Sequence, residues 1–530
     1  MFACFSQEEE AHTENVKSRR NLVYVIVAML VLVEMGVLYW NSGVVEGLNK
    51  HADTYKKAAI AEGDIKNVDA GNIYDRNGKC LVENTRKKIV VDGGNEGSQT
   101  KEKLVKVSNY LDDFAYTQII GFIGEPSVQI DEYDVEVVHS GGNYRLMKYY
   151  EDTLYHTENV NSTKGNSLVL TLDHELQIKV QEILAKELEA TNDGIAYGLN
   201  AQGSAIVMDA KTGAIRAMVS FPTLNANNAV ESRKVQYDEQ YKDLEISYPI
   251  SYKGAKPSGS VFKIVSSVSI IDHGMEEFTA LDNQFMIGSV PIVNDYSDKN
   301  DEINYQTAME RSSNVFFSQA ALQDNGKALE ETAKKFKLGE NILLDFGKVN
   351  SNWDLNQQDK VEIAYTAFGQ GKTLFSTMTA AMVTQAIAND GVMMEPYLIQ
   401  DVVDAKGNSI GYGMAEGKKV EAGGNRVLSQ VTSKETADKV TAAMMDSTTA
   451  HLHVVEGESA KEVYKTYKIA SKTGTAENGD DSNNAWFVSF APADDPEYIV
   501  VVNQCNTNKY GYRMMDAAAE IYHYLFEESR

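Results

Sequence analysis

The order in which the hydrophobic period changes along residues 165–528 restricts the fold more than any other property of this chain. Ser167-Leu168-Val169-Leu170-Thr171-Leu172 reads as a strand, and Asp173 then caps a helix carrying Leu176, Val180, Ile183 and Leu184. Residues 205–209 and 214–219 are two strands around the turn Ala210-Lys211-Thr212-Gly213, a predicted hairpin. Helical patterns dominate from Val261 to about Asp390. Strands return near 468–470 and 486–490 and, beyond Pro496, at 498–502, before a closing helix over about 514–528. Hairpin, helical block, further strands and a last helix make an α/β sandwich, a sheet covered by helices.

At 530 residues the chain is too long for one ordinary domain, and its N-terminal part reads differently. Leu22 to Trp40 is a run of 19 residues interrupted only by Glu34 and Gly36, about long enough to span a bilayer. Lys17, Arg19 and Arg20 precede it, which places the tail in the cytoplasm and everything beyond about residue 41 outside. Asn41-Ser42-Gly43 is a weak match to a signal-peptide cleavage site, so an uncleaved anchor is expected. Glu34 should not face lipid: it either lies off-centre, snorkelling or neutral, or marks a face packed on another membrane protein. The expected organisation is a cytoplasmic tail at 1–20, a transmembrane anchor at 21–40, a spacer or docking domain at 41–165 and a larger domain at 166–530. Within the spacer, 42–63 reads as a polar stalk or helix, and 72–81 as a hairpin about Asn77-Gly78. A helix capped by Ser98 and carrying Leu104, Val105, Val107 and Leu111 is expected to run to Phe114, with loops and short strands from Pro126 to about Ser162.

A net charge of −26 argues against nucleic acid as a partner, because phosphate binding needs a basic surface. The three cysteines, Cys4, Cys80 and Cys505, show neither metal spacing nor a redox pair. A Cys80–Cys505 disulfide is open outside the cell.

Three short patterns carry the chemistry. Ser260 and Lys263 stand three apart after Pro257 and Gly259, so on a helix both side chains share one face. A serine hydroxyl needs a neighbour to take its proton, and a partly desolvated lysine can be neutral and do so. The helix N-terminus favours the negative charge that develops there. Ser312 and Asn314 follow 52 residues after Ser260, offering a hydroxyl to relay a proton and an amide for a substrate carbonyl and Lys263. Lys472-Thr473-Gly474 lies 158 residues after Asn314 and is followed by Thr475. It supplies a charge, a hydroxyl and a close backbone approach, which is what holding a peptide carboxylate beside an edge strand requires. The backbone N–H groups of Ser260 and Thr475 are candidates for an oxyanion hole. Each pattern also recurs without that setting: Ser98–Lys101 as a cap, Lys211-Thr212-Gly213 in a turn, Ser482-Asn483-Asn484 out of order. The ordered set is the signal.

With these motifs the chain resembles the class B penicillin-binding proteins, membrane-anchored DD-transpeptidases of cell-wall synthesis. Asp75-Arg76-Asn77-Gly78 looks like the start of that family's pedestal, or dimerisation-type, domain over 41–165. Residues 165–177, 209–222, 367–371, 388–391 and 485–492 look like landmarks of its transpeptidase domain, here 166–530. The resemblance implies a serine β-lactamase-like fold with a central antiparallel sheet. It implies Ser260 as the acylated nucleophile, Lys263 as its base, Ser312 and Asn314 as the second motif, and Lys472, Thr473 and Thr475 as the carboxylate holder, with Gly474 between them. The implied substrate is a peptidoglycan stem peptide ending in D-Ala-D-Ala, with β-lactams as inhibitors and no metal or cofactor. Residues 41–165 carry no glycosyltransferase signature, so a separate SEDS-type membrane glycan polymerase is the implied partner. Ser258 before Gly259, Val261 after Ser260, Ser376-Thr377-Met378 and Ala70 depart from the usual pattern. A carboxypeptidase or β-lactamase would use the same serine with water as acceptor. A β-lactam sensor would need several spans, and a division scaffold would carry a vestigial site. Division, elongation and sporulation remain open as settings.

Overall fold

The computed structural model describes residues 68–529, apart from 92–100, 122–123, 131–135, 142–144, 158–161, 245, 247, 425 and 480. The expected tail, anchor and stalk, Glu34 and Ser98 all lie outside the described residues. Among the described residues no helix is long and apolar enough to cross a membrane.

Strand β1 (Ile73–Tyr74) turns back into β2 (Cys80–Val91) as the Asn-Gly pair predicts. Asp75 Oδ1 accepts the backbone N–H groups of Asn77 and Lys79, each at 2.8 Å, and Gly78 adopts φ +83°. β3 (Lys101–Tyr110) then pairs antiparallel with β2 from Val91↔Lys101 to Val82↔Tyr110. The helix expected over 98–114 is therefore replaced by a strand over Lys101–Tyr110, with bends at 111–114. Val105 and Val107 stand two apart in the sequence, and β-branched residues favour strands over helices. The region expected to hold only loops and short strands also contains two short helices, Arg145–Tyr149 and Glu151–Leu154, which bury Leu146, Met147 and Leu154. β4 (Ser167–Leu170) lies parallel to β1 and antiparallel to Ile399–Val403. The resulting sheet, in the order Ile399–Val403, β4, β1, β2, β3, draws strands from both sides of residue 165.

Helix α1 (His174–Leu188) starts where Asp173 accepts the N–H of Leu176. β5 (Gln202–Asp209) and β6 (Ile215–Phe221) form the expected hairpin. The helical block supplies α2 (Lys263–Asp272), α3 (Tyr305–Arg311), α4 (Asn314–Leu322), α5 (Thr377–Ala388) and α6 (Lys434–His451). β7 (Ala470–Glu477), β8 (Asn483–Ala491), β9 (Tyr498–Thr507) and α7 (Met514–His523) close the chain. The main sheet runs β7-β8-β9-β5-β6, antiparallel throughout.

Both faces of this sheet are apolar, and the pleat sorts them. Ala205, Val207, Phe487, Val500 and Val502 pack with Val180 and Leu184 of α1 and with Met514, Ala518 and Ile521 of α7. Their sequence neighbours Ile206, Met208, Trp486, Val488 and Val501 pack on the opposite face with Val265 of α2, Met382 of α5 and Met444 of α6. Each fully buried aliphatic side chain contributes about 1.5–3 kcal/mol relative to exposure. α5 is buried along its whole length, which its small residues Ala380, Ala381 and Ala386 permit. β7 is thereby left as an edge strand beside the head of α2. No disulfide joins Cys80 and Cys505.

Candidate active site

Ser260 sits in a single 3₁₀ turn, Gly259–Phe262, that leads directly into α2. Backbone converges on that turn from two sides. Gly259 adopts φ +53°, and a Cβ there would stand 2.6 Å from Thr475 O of β7. Gly259 N donates to Gly369 O at 2.9 Å, and a Cβ on Gly369 would reach 2.0 Å from Gly259 O. No side chain fits between these backbones, so the glycines are what let the Ser260 turn touch the edge strand. Phe262 anchors the turn below, buried against Phe375 and stacked on Trp353. Trp486 Nε1 donates to Pro257 O at 2.9 Å.

The three predicted motifs meet around Lys263. Its Nζ lies 2.8 Å from Ser260 Oγ, 2.7 Å from Ser312 O, 2.7 Å from Asn314 Oδ1 and 3.1 Å from Ser312 Oγ. Lys472 Nζ donates to Ser312 Oγ at 3.0 Å and to Thr473 O at 3.0 Å, so the Ser312 hydroxyl bridges the two lysines. Both lysine side chains are withdrawn from water, with Lys263 and Lys472 each 0% exposed. Burial, and then the neighbouring Lys472 charge, hold Lys263 well below the usual lysine range, opposed by the fields of Asp295 and Asp282. Burial also brings Lys472 down to about 7, again opposed by Asp295.

A neutral Lys263 has two N–H donors and one lone pair. Ser312 O and Asn314 Oδ1 can only accept, so they take the two hydrogens. The lone pair is left to the two hydroxyls, Ser312 Oγ at 3.1 Å and, nearer, Ser260 Oγ at 2.8 Å. A charged Lys263 would put its third hydrogen on that same oxygen and mask it.

Ser312 reaches this position at a conformational cost. It ends α3 in the left-handed region, at φ 60° and ψ 43°, on the order of 1 kcal/mol for a non-glycine residue. The hydrogen bonds Ser313 N to Ala308 O at 2.8 Å and Ser312 N to Met309 O at 3.3 Å hold the turn. Ser313 caps the next helix, its Oγ accepting the N–H of Phe316 at 3.1 Å. The Ser312–Asn314 motif is thus the junction between two helices.

On β7, Lys472 and Gly474 share one face, and the half-buried Thr473 and Thr475 share the other. Gly474 has an internal reason to be glycine: a Cβ there would meet Ser258 O at 3.0 Å and Val261 Cγ2 at 3.0 Å. Thr475 Oγ1 accepts the N–H of Gly511 at 3.0 Å. A Cβ on Gly511 would fall 2.1 Å from Gly474 O. Sequence reasoning did not reach Gly511, nor Asn294, whose Oδ1 accepts the N–H of Asn314 at 2.7 Å. Neither lies in a motif, and only the packed chain brings them near one. Of the recurring patterns, Lys211-Thr212-Gly213 lies in the β5–β6 turn, and Lys101 begins β3.

A family model described as the penicillin binding protein transpeptidase domain matches residues 203–527. Penicillin-binding protein PbpB of Mycolicibacterium smegmatis is 26% identical over 349 residues, covering 63% of this chain and 50% of the relative. Peptidoglycan D,D-transpeptidase MrdA of Acinetobacter baumannii is 24% identical over 427 residues, 74% of this chain and 58% of the relative. The chain thus spans about half the length of the curated relatives it matches. Among solved structures, the ceftriaxone acyl-enzyme complex of penicillin-binding protein A from M. tuberculosis shares the fold, with a TM-score of 0.69 at 17% identity over 88% of this chain and 100% of that one. The D,D-transpeptidase domain of a peptidoglycan glycosyltransferase from Eggerthella lenta does so too, with a TM-score of 0.66 at 24% identity over 87% of this chain and 99% of that one. A matched segment that covers more than half of the chain and contains all three motifs settles the relationship: this chain belongs to the penicillin-binding protein transpeptidase family.

Proposed function

We propose that the chain is a peptidoglycan D,D-transpeptidase that works through a Ser260 acyl-enzyme. The observation that carries this reading is the setting of Lys263: fully buried, with two pure acceptors at 2.7 Å and Ser260 Oγ at 2.8 Å. Lys263 takes the proton as Ser260 Oγ bonds to the penultimate carbonyl carbon of a stem peptide ending in D-Ala-D-Ala. The carbonyl oxygen, now negative, is received by the backbone N–H groups of Ser260 and Thr475. Lys472, with Thr473 and Thr475, holds the terminal carboxylate along β7, where Gly474 keeps the strand against the nucleophile turn.

The peptide bond then breaks, and the proton reaches the departing D-Ala nitrogen through Ser312 Oγ, which touches both lysines. Asn314 Nδ2 has one N–H on Val293 O at 3.1 Å and keeps its second for the peptide carbonyl. An amine from a neighbouring stem reverses the sequence of bonds, and the cross-link replaces the ester. β-Lactams acylate the same oxygen. The names of the relatives and the acyl-enzyme complex of the structural neighbour support this reading.

Around this domain we place a cytoplasmic tail at 1–20, an anchor at 21–40 and a pedestal at 41–165, with the catalytic domain of 166–530 outside the cell. Likeness to solved structures over 87–88% of the chain, well beyond residues 203–527, supports a pedestal of the family type. A SEDS-type glycan polymerase is the proposed partner. Labelling with a fluorescent penicillin tests the core of the reading. Wild type is expected to form a stable adduct and Ser260→Ala none. Labelling that survives Ser260→Ala would refute the assignment, and rapid multiple turnover of benzylpenicillin would favour a hydrolase.

A further inference from the structure

Behind the Ser312–Asn314 junction lies a carboxylate that none of these steps uses. Asp282 is 0% exposed, and its oxygens accept from Ser313 Oγ at 2.8 Å, Asn294 Nδ2 at 2.8 Å, Tyr296 OH at 3.0 Å and Arg311 Nη1 at 3.2 Å. Arg311 also reaches Asp301 through both terminal nitrogens at 2.9 Å, so the buried charge has a fixed counter-ion.

Each of these bonds has a consequence on the far side. With its Nδ2 on Asp282, Asn294 presents Oδ1 in the other direction, to Asn314 N at 2.7 Å and Val315 N at 3.1 Å. Those are the first N–H groups of α4, which a helix cannot satisfy itself. One residue earlier, Val293 O accepts Asn314 Nδ2 at 3.1 Å, which sets the amide so that Oδ1 faces Lys263. Ser313, held by Asp282, follows directly on the left-handed Ser312, whose carbonyl is the other acceptor of Lys263. A strained residue persists only where its surroundings over-determine it, and here they converge on two oxygen atoms. Taking a carboxylate out of water is costly, more than holding one turn requires.

We propose that Asp282 is a positioning residue for acyl transfer, acting through Asn294 and Ser313 to hold Asn314 Oδ1 and Ser312 O as the two acceptors of Lys263. The inference rests on the acyl-transfer reading of Ser260. Ser313 and Asn294 share Asp282 Oδ1, while Arg311 and Tyr296 take Oδ2. In Asp282→Asn the amide oxygen turns to the guanidinium, which can only donate, and the amide N–H2 meets Asn294 Nδ2, which loses its hold. The double variant Asp282→Asn/Asn294→Asp returns one carboxylate and one amide to the pair with their places exchanged. Tyr296→Phe removes one hydroxyl, shared between the Asp282 oxygens at 3.0 and 3.2 Å, at a half-buried site.

The test is rapid-mixing acylation of the full chain by a fluorescent penicillin, resolving the acylation rate constant k2 from the binding constant K, with thermal unfolding recorded for every variant. Asp282→Asn is expected to lower k2 about 10- to 100-fold with K within about threefold, the signature of displaced reacting groups. The exchanged pair is expected to recover most of that loss, and Tyr296→Phe to slow k2 about two- to threefold. A folded Asp282→Asn with wild-type k2 overturns the proposal. So does a loss that the folded exchange variant fails to recover or, where Asp282→Asn does not fold, a Tyr296→Phe enzyme with unchanged k2. Absence of Ser260-dependent labelling in wild type would overturn the acyl-transfer reading as well, whereas normal labelling with an indifferent Asp282 removes the inference alone.

Discussion

The tripeptide Lys-Thr-Gly occurs twice on one sheet, and its two copies have nothing in common but their letters. At 211–213 the chain reverses between β5 and β6. Asp209 Oδ1 accepts Lys211 N at 3.1 Å, Thr212 N at 2.9 Å and Thr212 Oγ1 at 2.8 Å, and Gly213 supplies φ +78°. Lys211 stands in solvent. At 472–474 the chain is extended on β7 at the opposite edge, in register with Val488, Phe487 and Trp486 of β8. There Lys472 is fully buried against Ser312, and Gly474 is required for its missing Cβ rather than for its φ. One copy has its backbone donors met by a local carboxylate and becomes a turn. The other has its strand completed by β8 and lies against the Ser260 turn. What a short motif does is decided by where its backbone hydrogen bonds go.

The largest difference should appear on deleting the two lysines. Lys472→Ala is expected to cut k2/K for a β-lactam by about 10²–10³, the scale of losing a main electrostatic donor, whereas Lys211→Ala stays within about twofold. Equal effects in the same acylation assay would erase the distinction. The pH profile sharpens it. Lys472 is brought down to about 7, so the charged form that holds a carboxylate is present below that pH and lost above it. The limb of k2/K that depends on this charge should fall about tenfold per unit above that point. A bound carboxylate favours the ammonium, so the same limb should move to higher pH in k2 at saturation, and Lys211→Ala should leave both profiles in place. A k2/K that keeps rising from pH 7 to 9 would contradict the role given to Lys472. The glycines give the smallest effects, of opposite kinds. Gly213→Ala should cost about 1–2 kcal/mol of stability, measured by denaturant unfolding, with k2 unchanged, because it strains a left-handed turn. Gly474→Ala should slow k2 about tenfold with a smaller stability cost, because it pushes on Ser258 and the nucleophile turn.

Much of the site was legible before folding because its parts are local. Ser260 and Lys263 share a helical face whatever the rest of the chain does, and their Nζ–Oγ contact of 2.8 Å follows from that spacing. Asp173 as a cap, Asn77-Gly78 as a hairpin turn and the β5–β6 turn are likewise settled within a few residues. The strand β3 was not legible. Leu104, Val105, Val107 and Leu111 fit a helical spacing as well as a strand, and only pairing with β2 chose between them. The two short helices at 145–154 form over buried contacts whose other halves lie elsewhere in the chain.

The sequence by itself determined which groups the proposed chemistry can draw on: one hydroxyl, one amine three residues away, a second serine and asparagine, and a lysine on a glycine-bearing strand. The tertiary structure decided their chemical state. Lys263 is held well below the usual lysine range because burial and a lysine 209 positions later act on it. A neutral Lys263 would turn its lone pair towards Ser260 because Ser312 O and Asn314 Oδ1 can only accept. The left-handed Ser312, the buried Asp282 and the backbone contacts of Gly369 and Gly511 are decided in the same way. Desolvation and hydrogen-bond direction depend on neighbours in space, and a one-dimensional pattern contains neither.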